Sequence, residues 1–242
     1  MIRVAVSKRN AVEDTHQLLK EHYLLSEEHP EALRPPRPLA YLYHIAGSVT
    51  ESCQKRVLKD FQTLDQVKSA MEGVGRALAA WHRVATPTKA NSKKRSRRIR
   101  RSCRTTHRKR VVKVMKKAID LLPPCEKASV QLLQGVLLHD VVLQKGRVGV
   151  QSAAYDDSRQ DVANMIAAWQ IQGVIGDEVE RCAEAAAAFI CGYGKVHTEK
   201  LEGMAPFEAL ALAEQVYDFP TDTNCMEPLL FLAEARLDCD AN

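Results

Sequence analysis

Arg95-Ser-Arg-Arg-Ile99-Arg-Arg-Ser-Cys103-Arg-Thr-Thr-His107-Arg-Lys-Arg-Val111-Val-Lys-Val114-Met-Lys-Lys-Ala118-Ile-Asp-Leu121 is the stretch on which the reading of this chain turns. Ile99, Cys103, His107, Val111, Val114, Ala118 and Leu121 recur at steps of three or four, which places them on one face of an α-helix. Lys and Arg fill most of the remaining circumference, and 15 of the 29 residues from 89 to 117 are basic. The spacing predicts a basic amphipathic helix. The expected fold class is therefore all-α, one or more multi-helix bundles with this Arg/Lys-rich helix at the centre.

The flanks read the same way. Val12, His16, Leu19 and Tyr23 give a first helix with one apolar face, stopped by the prolines of Arg34-Pro-Pro-Arg-Pro38, which lack an amide donor. A second helical piece is predicted from Leu39 to Ala46. Ser48-x-x-Glu51 and Thr63-x-x-Gln66 spell capping boxes, and the second precedes a stripe of Val67, Ala70, Met71, Val74, Leu78 and Trp81. Beyond Pro123-Pro124, a helix from Glu126 to Leu143 is apolar nearly all round in its second half and is expected to be central. Further helices are expected over Asp161–Gln172, Asp177–Cys191, Phe207–Val216 and Pro228–Leu237. For most of these apolar positions ordinary bundle core is the plain reading. The predicted domains are an N-terminal bundle over 1–84, a basic linker and helix start over 85–106, and a C-terminal helical domain over 107–242.

Composition agrees with a helical chain of ordinary globular type: 242 residues, 45% hydrophobic and 27% charged, with only 5% aromatic, 11 Gly and 10 Pro. The longest apolar run, 136–143, is broken by His139 and Asp140 and falls short of the ~18 residues a membrane span needs. Seven cysteines, none in C-x-x-C, in a chain that does not open on a secretory signal fit reduced thiols inside a cell. The compartment stays open between cytoplasm, nucleus (Lys93–Arg98 and Arg108–Arg110 can be read as import signals) and mitochondrion (basic, acid-free residues 1–12).

The net charge of +5 conceals a segregation. Between Gly73 and Ile119 there are 17 Lys and Arg and no Asp or Glu, whereas positions 120–242 hold eight bases against twenty acids. A field of that density recruits polyanions. Lys93, Lys94, Arg95, Arg97, Arg98, Arg100, Arg101, Arg104, Arg108, Lys109, Arg110 and Lys113 are accordingly the expected phosphate contacts. Arginine forks pair bidentately with phosphate, and the absence of an aromatic between Val84 and Leu122 argues against base stacking. The leading expectation is an RNA-binding protein, less readily a DNA-binding one, acting as a structural component of a ribonucleoprotein. Protein partners would meet its bundles and acidic C-terminal half, with no membrane contact and no cofactor. Docking of the basic tract on the acidic half of its own or another chain, or on an anionic membrane, competes with that reading.

An enzymatic reading rests on Leu137-Leu-His139-Asp140-Val141, on His107-Arg-Lys-Arg-Val-Val and on Ala213-Glu-Gln-Val-Tyr-Asp218. Over about 106–218 these resemble the HD superfamily of metal-dependent phosphohydrolases, all-helical proteins with an H…HD…D ligand pattern. The resemblance implies a divalent metal held by His107, His139, Asp140 and Asp218, polarising a phosphate ester and acidifying the attacking water. It departs from the pattern at Glu214, which stands where the family carries the last Asp, and at Gly192-Tyr-Gly194, where further His ligands are expected. The alternative function is thus a phosphohydrolase on a nucleotide or phosphate ester, and whether the chain is an enzyme stays open at this point.

Overall fold

Helices carry the core. A computed structural model describes residues 2–6, 9–35, 37–42, 47–51, 63–84, 88–89, 109–123, 127–131, 142–144, 147–149, 154–197, 201–218 and 223–239. Among them are seven helices: α1 (Arg9–Glu28), α2 (Leu64–Val84), α3 (Lys109–Leu121), α4 (Ser158–Gly176), α5 (Val179–Gly194), α6 (Ala205–Asp218) and α7 (Thr223–Cys239). The expected helical bundle is present. Eight strands of two to five residues accompany it: β1 (Ile2–Val6), β2 (Pro38–Leu42), β3 (Gly47–Glu51), β4 (Thr88–Lys89), β5 (Lys127–Gln131), β6 (Val142–Gln144), β7 (Arg147–Gly149) and β8 (Ala154–Asp156). They form sheets ordered β1-β3-β2 and β4-β5-β8 and a β6-β7 pair, each pairing antiparallel.

Three predicted helical features are strands instead. The eight residues from Leu39 to Ala46 are too few to hold a helix without strong tertiary support, and Pro38 to Leu42 pairs with β3. Ser48-Val-Thr-Glu51 is itself strand; β-branched Val49 and Thr50 sit in β3, opposite Val4 and Arg3 of β1. The predicted helix over 126–143 begins as β5 and ends in β6, and its residues 132–141 lie outside the described ones.

The centre of the bundle is α4. Every residue from Gln160 to Trp169 is buried, because its Ala, Val, Met and Ile side chains surround the helix rather than striping it, and α5, α6 and α7 all pack on it. Asp157 caps its start by accepting from the Arg159 amide at 3.0 Å. At its other end Asp177 turns left-handed (φ 52°), and the Glu178 amide donates to the Gly173 carbonyl at 3.0 Å.

Glycines decide the α2–α5 crossing. A Cβ on Gly75 would run into the Phe189 carbonyl, and one on Gly192 into the Glu72 carbonyl, so the two backbones touch where only glycine fits. Lys68–Glu184 at 2.8 Å and Lys195–Glu72 at 2.7 Å brace the rim. The Thr63–Gln66 box closes as spelled, with the Gln66 amide donating to Thr63 Oγ1 at 3.3 Å and the Thr63 amide to Gln66 Oε1 at 3.4 Å. Ahead of it, Leu18, Leu19, Ala32 and Leu33 are buried, and the Leu33 amide donates to the Ala77 carbonyl at 3.2 Å. Buried side chains of this size each contribute roughly 1.5–3 kcal/mol. No helix among the described residues is long and apolar enough to cross a membrane.

Candidate functional site

β8 delivers the chain into α4, and polar groups that the fold encloses are concentrated at that junction. Asp157, Ser158, Gln160, Asp161 and Asn164 are all buried. The Arg159 guanidinium forks onto the Asp157 carboxylate at 3.0 and 2.8 Å and lies 4.7 Å from the centre of the Phe207 ring. Gln160 Nε2 donates to Asn164 Oδ1 at 3.1 Å, and Gln215 Nε2 of α6 to the Asn164 carbonyl at 3.2 Å.

One turn into α4, Asp161 meets His82 of α2, whose other ring nitrogen meets Tyr193 of α5. His82 Nε2 lies 3.2 Å from Asp161 Oδ2, and His82 Nδ1 lies 2.9 Å from the Tyr193 hydroxyl. Facing a carboxylate oxygen, Nε2 is assigned the ring proton; on that assignment Nδ1 accepts and the tyrosine hydroxyl donates. The side chains of His82 and Asp161 have no exposed surface, and Tyr193 has none. Burial, reinforced by the Asp161 and Asp157 charges, holds the Tyr193 hydroxyl well above its ordinary range and keeps it protonated. Closed to solvent, the relay locks α2 and α5 to the start of α4. In the sequence His82 falls just beyond the predicted stripe of α2, and Tyr193 stands in the Gly-Tyr-Gly segment taken as a gap in the ligand pattern. No local signal marks either.

The residues singled out from the sequence are placed as follows. Lys93, Lys94, Arg95, Arg97, Arg98, Arg100, Arg101, Arg104, Arg108, His107, His139 and Asp140 lie outside the described residues. Asp218 is the last residue of α6. Lys109, Arg110 and Lys113 open α3, where Lys109 and Lys113 are exposed. Arg110 is held by carboxylates: Nε and Nη2 donate to Glu234 of α7 at 3.0 and 2.8 Å, and Nη1 pairs with Glu227. The same pairing pulls the Glu234 carboxyl below its ordinary range. Lys117 reaches Asp238 at 2.6 Å. Among the described residues no group of three or more His, Cys, Asp or Glu is placed to hold a metal ion.

Short antiparallel strands interleaved with a helical mass centred on a buried helix are a fold that this chain shares with solved phosphotransferases. Solved structures match it along the whole chain. Aminoglycoside phosphotransferase APH(4)-Ia superposes with a TM-score of 0.61 at 14% identity, covering 100% of this chain and 86% of that one. A choline/ethanolamine kinase family protein from Mesorhizobium loti gives 0.58 at 10% identity over 98% and 82%, and a glucosamine kinase 0.57 at 13% over 94% and 69%. No protein-family model and no curated protein matches the sequence.

Two expectations are thereby corrected. The HD resemblance does not hold, because the solved structures that share this fold are phosphotransferases; a His-Asp dipeptide with one upstream His is too short a pattern to fix a fold. The reading as an RNA-binding, ribonucleoprotein component gives way on the same finding, and with it the nucleic-acid partner and the metal-binding HD domain. Its physical premise fails at Arg110 and Lys117, whose charge is satisfied by α7 rather than held out for phosphate.

Proposed function

We propose that this chain is a phosphotransferase moving a phosphoryl group from a nucleoside triphosphate to the hydroxyl of a small amine-bearing alcohol. The fold likeness along the full chain carries the reading, since APH(4)-Ia is solved in ternary complexes with AMP-PNP or ADP and hygromycin B. The reading also keeps the phosphate-ester chemistry that the sequence raised as its alternative. Aminoglycosides, choline, ethanolamine and glucosamine all carry cationic nitrogen. Positions 120–242, with eight bases against twenty acids, would draw a cationic acceptor to the helical half.

In the transfer the acceptor oxygen bonds the γ-phosphorus as the bond to the bridging oxygen breaks, and the nucleoside diphosphate leaves with that electron pair. We assign the acceptor's hydroxyl proton to Asp140, a lone carboxylate in the apolar run 136–143. It stands two positions before β6, the strand from which the chain passes through β7 and β8 into the locked start of α4. Of the Arg/Lys-rich segment, Arg110 and Lys117 are met by carboxylates of α7.

The test follows ADP release from ATP in the presence of choline, ethanolamine, glucosamine or hygromycin B. Acceptor-dependent ADP formation with at least one of them, abolished in Asp140→Asn, is the expected result. ATP turnover that no acceptor stimulates, or turnover unchanged in Asp140→Asn, overturns the corresponding part of the proposal.

A further inference from the structure

The buried His82–Asp161–Tyr193 relay has no step of its own in the transfer, yet it joins the two helices that support the chain following Asp140. From β6 the chain turns back in β7, pairing Val142 with Gly149 and Gln144 with Arg147, and β7 lies against α2. It continues into β8, which pairs with β5 from Ser129–Asp156 to Gln131–Ala154 and leads directly into α4. β5 in turn lies against α4. One support of this segment is therefore α2, and the other is α4. His82 stands in the last turn of α2 and Asp161 in the first turn of α4, and their contact at 3.2 Å ties the two supports together.

Apolar side chains would join these helices at less cost. The His82 and Asp161 side chains have no exposed surface, and burying an imidazole and a carboxylate carries a desolvation penalty that a pair of leucines would not. Hydrogen bonds add direction: they hold one distance and one ring orientation, where apolar packing tolerates sliding. The Tyr193 hydroxyl, 2.9 Å from Nδ1, fixes the imidazole from its far side in the tautomer that turns the Nε2 proton to Asp161.

We propose, on the phosphotransferase reading above, that His82 oriented by Tyr193 is a positioning residue for the transfer. Through Asp161 it sets the spacing between the end of α2 and the start of α4, and so the placement of the segment that begins at Asp140. In-line phosphoryl transfer depends on alignment, and a misplacement of about 1 Å costs on the order of a hundredfold in rate. Substrate binding is spread over many contacts and is far less sensitive to the same shift. Removing the relay therefore lowers kcat and leaves KM nearly in place.

Steady-state ADP release by the full chain, with ATP and the acceptor that stimulates turnover, tests it at a temperature where circular dichroism shows each variant folded. His82→Leu is expected to lower kcat by about tenfold to a hundredfold, with both KM values within about twofold of wild type. His82→Gln, whose amide can still donate to Asp161, should recover most of that loss, and Tyr193→Phe should fall between the two. Thr63→Ala, which removes the cap at the opposite end of α2, should lower the melting temperature and leave kcat unchanged. If His82→Leu does not fold, Tyr193→Phe takes its place, and a wild-type kcat in it overturns the proposal. Wild-type turnover with kcat untouched in His82→Leu, a loss confined to KM, no recovery in His82→Gln, or an equal fall in Thr63→Ala overturns the positioning role and leaves the phosphotransferase reading standing. Wild type without acceptor-dependent turnover overturns that reading and the positioning role together.

Discussion

His22 packs edge-on against Trp81, ring centres 5.1 Å apart and planes at 77°, with 6% of its surface exposed. Burial pushes its pKa from 6.5 down to about 4. The unfolded chain therefore takes up its proton first as pH falls. The contribution of neutral His22 is complete above about 6.5, erodes between about 6.5 and 4, and by pH 4 the loss approaches about 3 kcal/mol. Urea unfolding across that range should show the decline, and His22→Phe should flatten the part due to this residue; an unaltered slope would remove His22 from the account. Tyr193→Phe withdraws the donor to His82 Nδ1 and leaves a buried acceptor, at a cost of about 1–3 kcal/mol in the urea midpoint measured at neutral pH. None of this could be read in the sequence. His82 and Asp161 are 79 positions apart and His82 and Tyr193 are 111 apart, and a relay closed by helix packing leaves no local pattern. The Asp157 cap of α4 likewise fell outside the predicted helix, which was started at Asp161.

At the scale of elements, glycine separates two kinds of site on one helix. Gly75→Ala should cost about 2 kcal/mol or more, because its Cβ would meet the backbone of α5, which cannot rotate away as a side chain can. Gly73→Ala, with nothing within 4 Å of the added Cβ, should stabilise by roughly 0.5–1 kcal/mol through helix propensity alone. Thermal melts of the pair check both signs, and equal effects would contradict the crossing. Where periodicity ran over three turns or more the sequence reading matched the helices, as for α2 with its Thr63–Gln66 box and for α4, α5 and α6, whose ends shifted by a few residues. It failed where a segment had a partner elsewhere in the chain. Leu39–Leu42 and Ser48–Glu51 pair with each other, and 127–131 pairs with β4 and β8, so long-range ladders overrode local helical patterns. The central helix was also misplaced: apolar side chains on every face of α4 were read as an ordinary stripe of Val162, Met165 and Trp169.

For the whole molecule, the segregation of charge was legible and its meaning was not. A basic tract in one window and an acid excess after it predict attraction to a polyanion equally with attraction between the two halves. Among the described residues, α3 against α7 shows carboxylates taking up Arg110 and Lys117. The strands interleaved with the helices were hidden because they are two to five residues long and carry little composition signal. Binding of a nucleotide raises the melting temperature of a protein that has a site for it. The most direct test of the account is therefore the melting temperature of the full chain with AMP-PNP and, in parallel, with single-stranded RNA. A shift that rises with AMP-PNP and saturates, larger than any produced by RNA, is the predicted result. A melting curve that AMP-PNP leaves in place while RNA raises it would contradict a phosphotransferase reading.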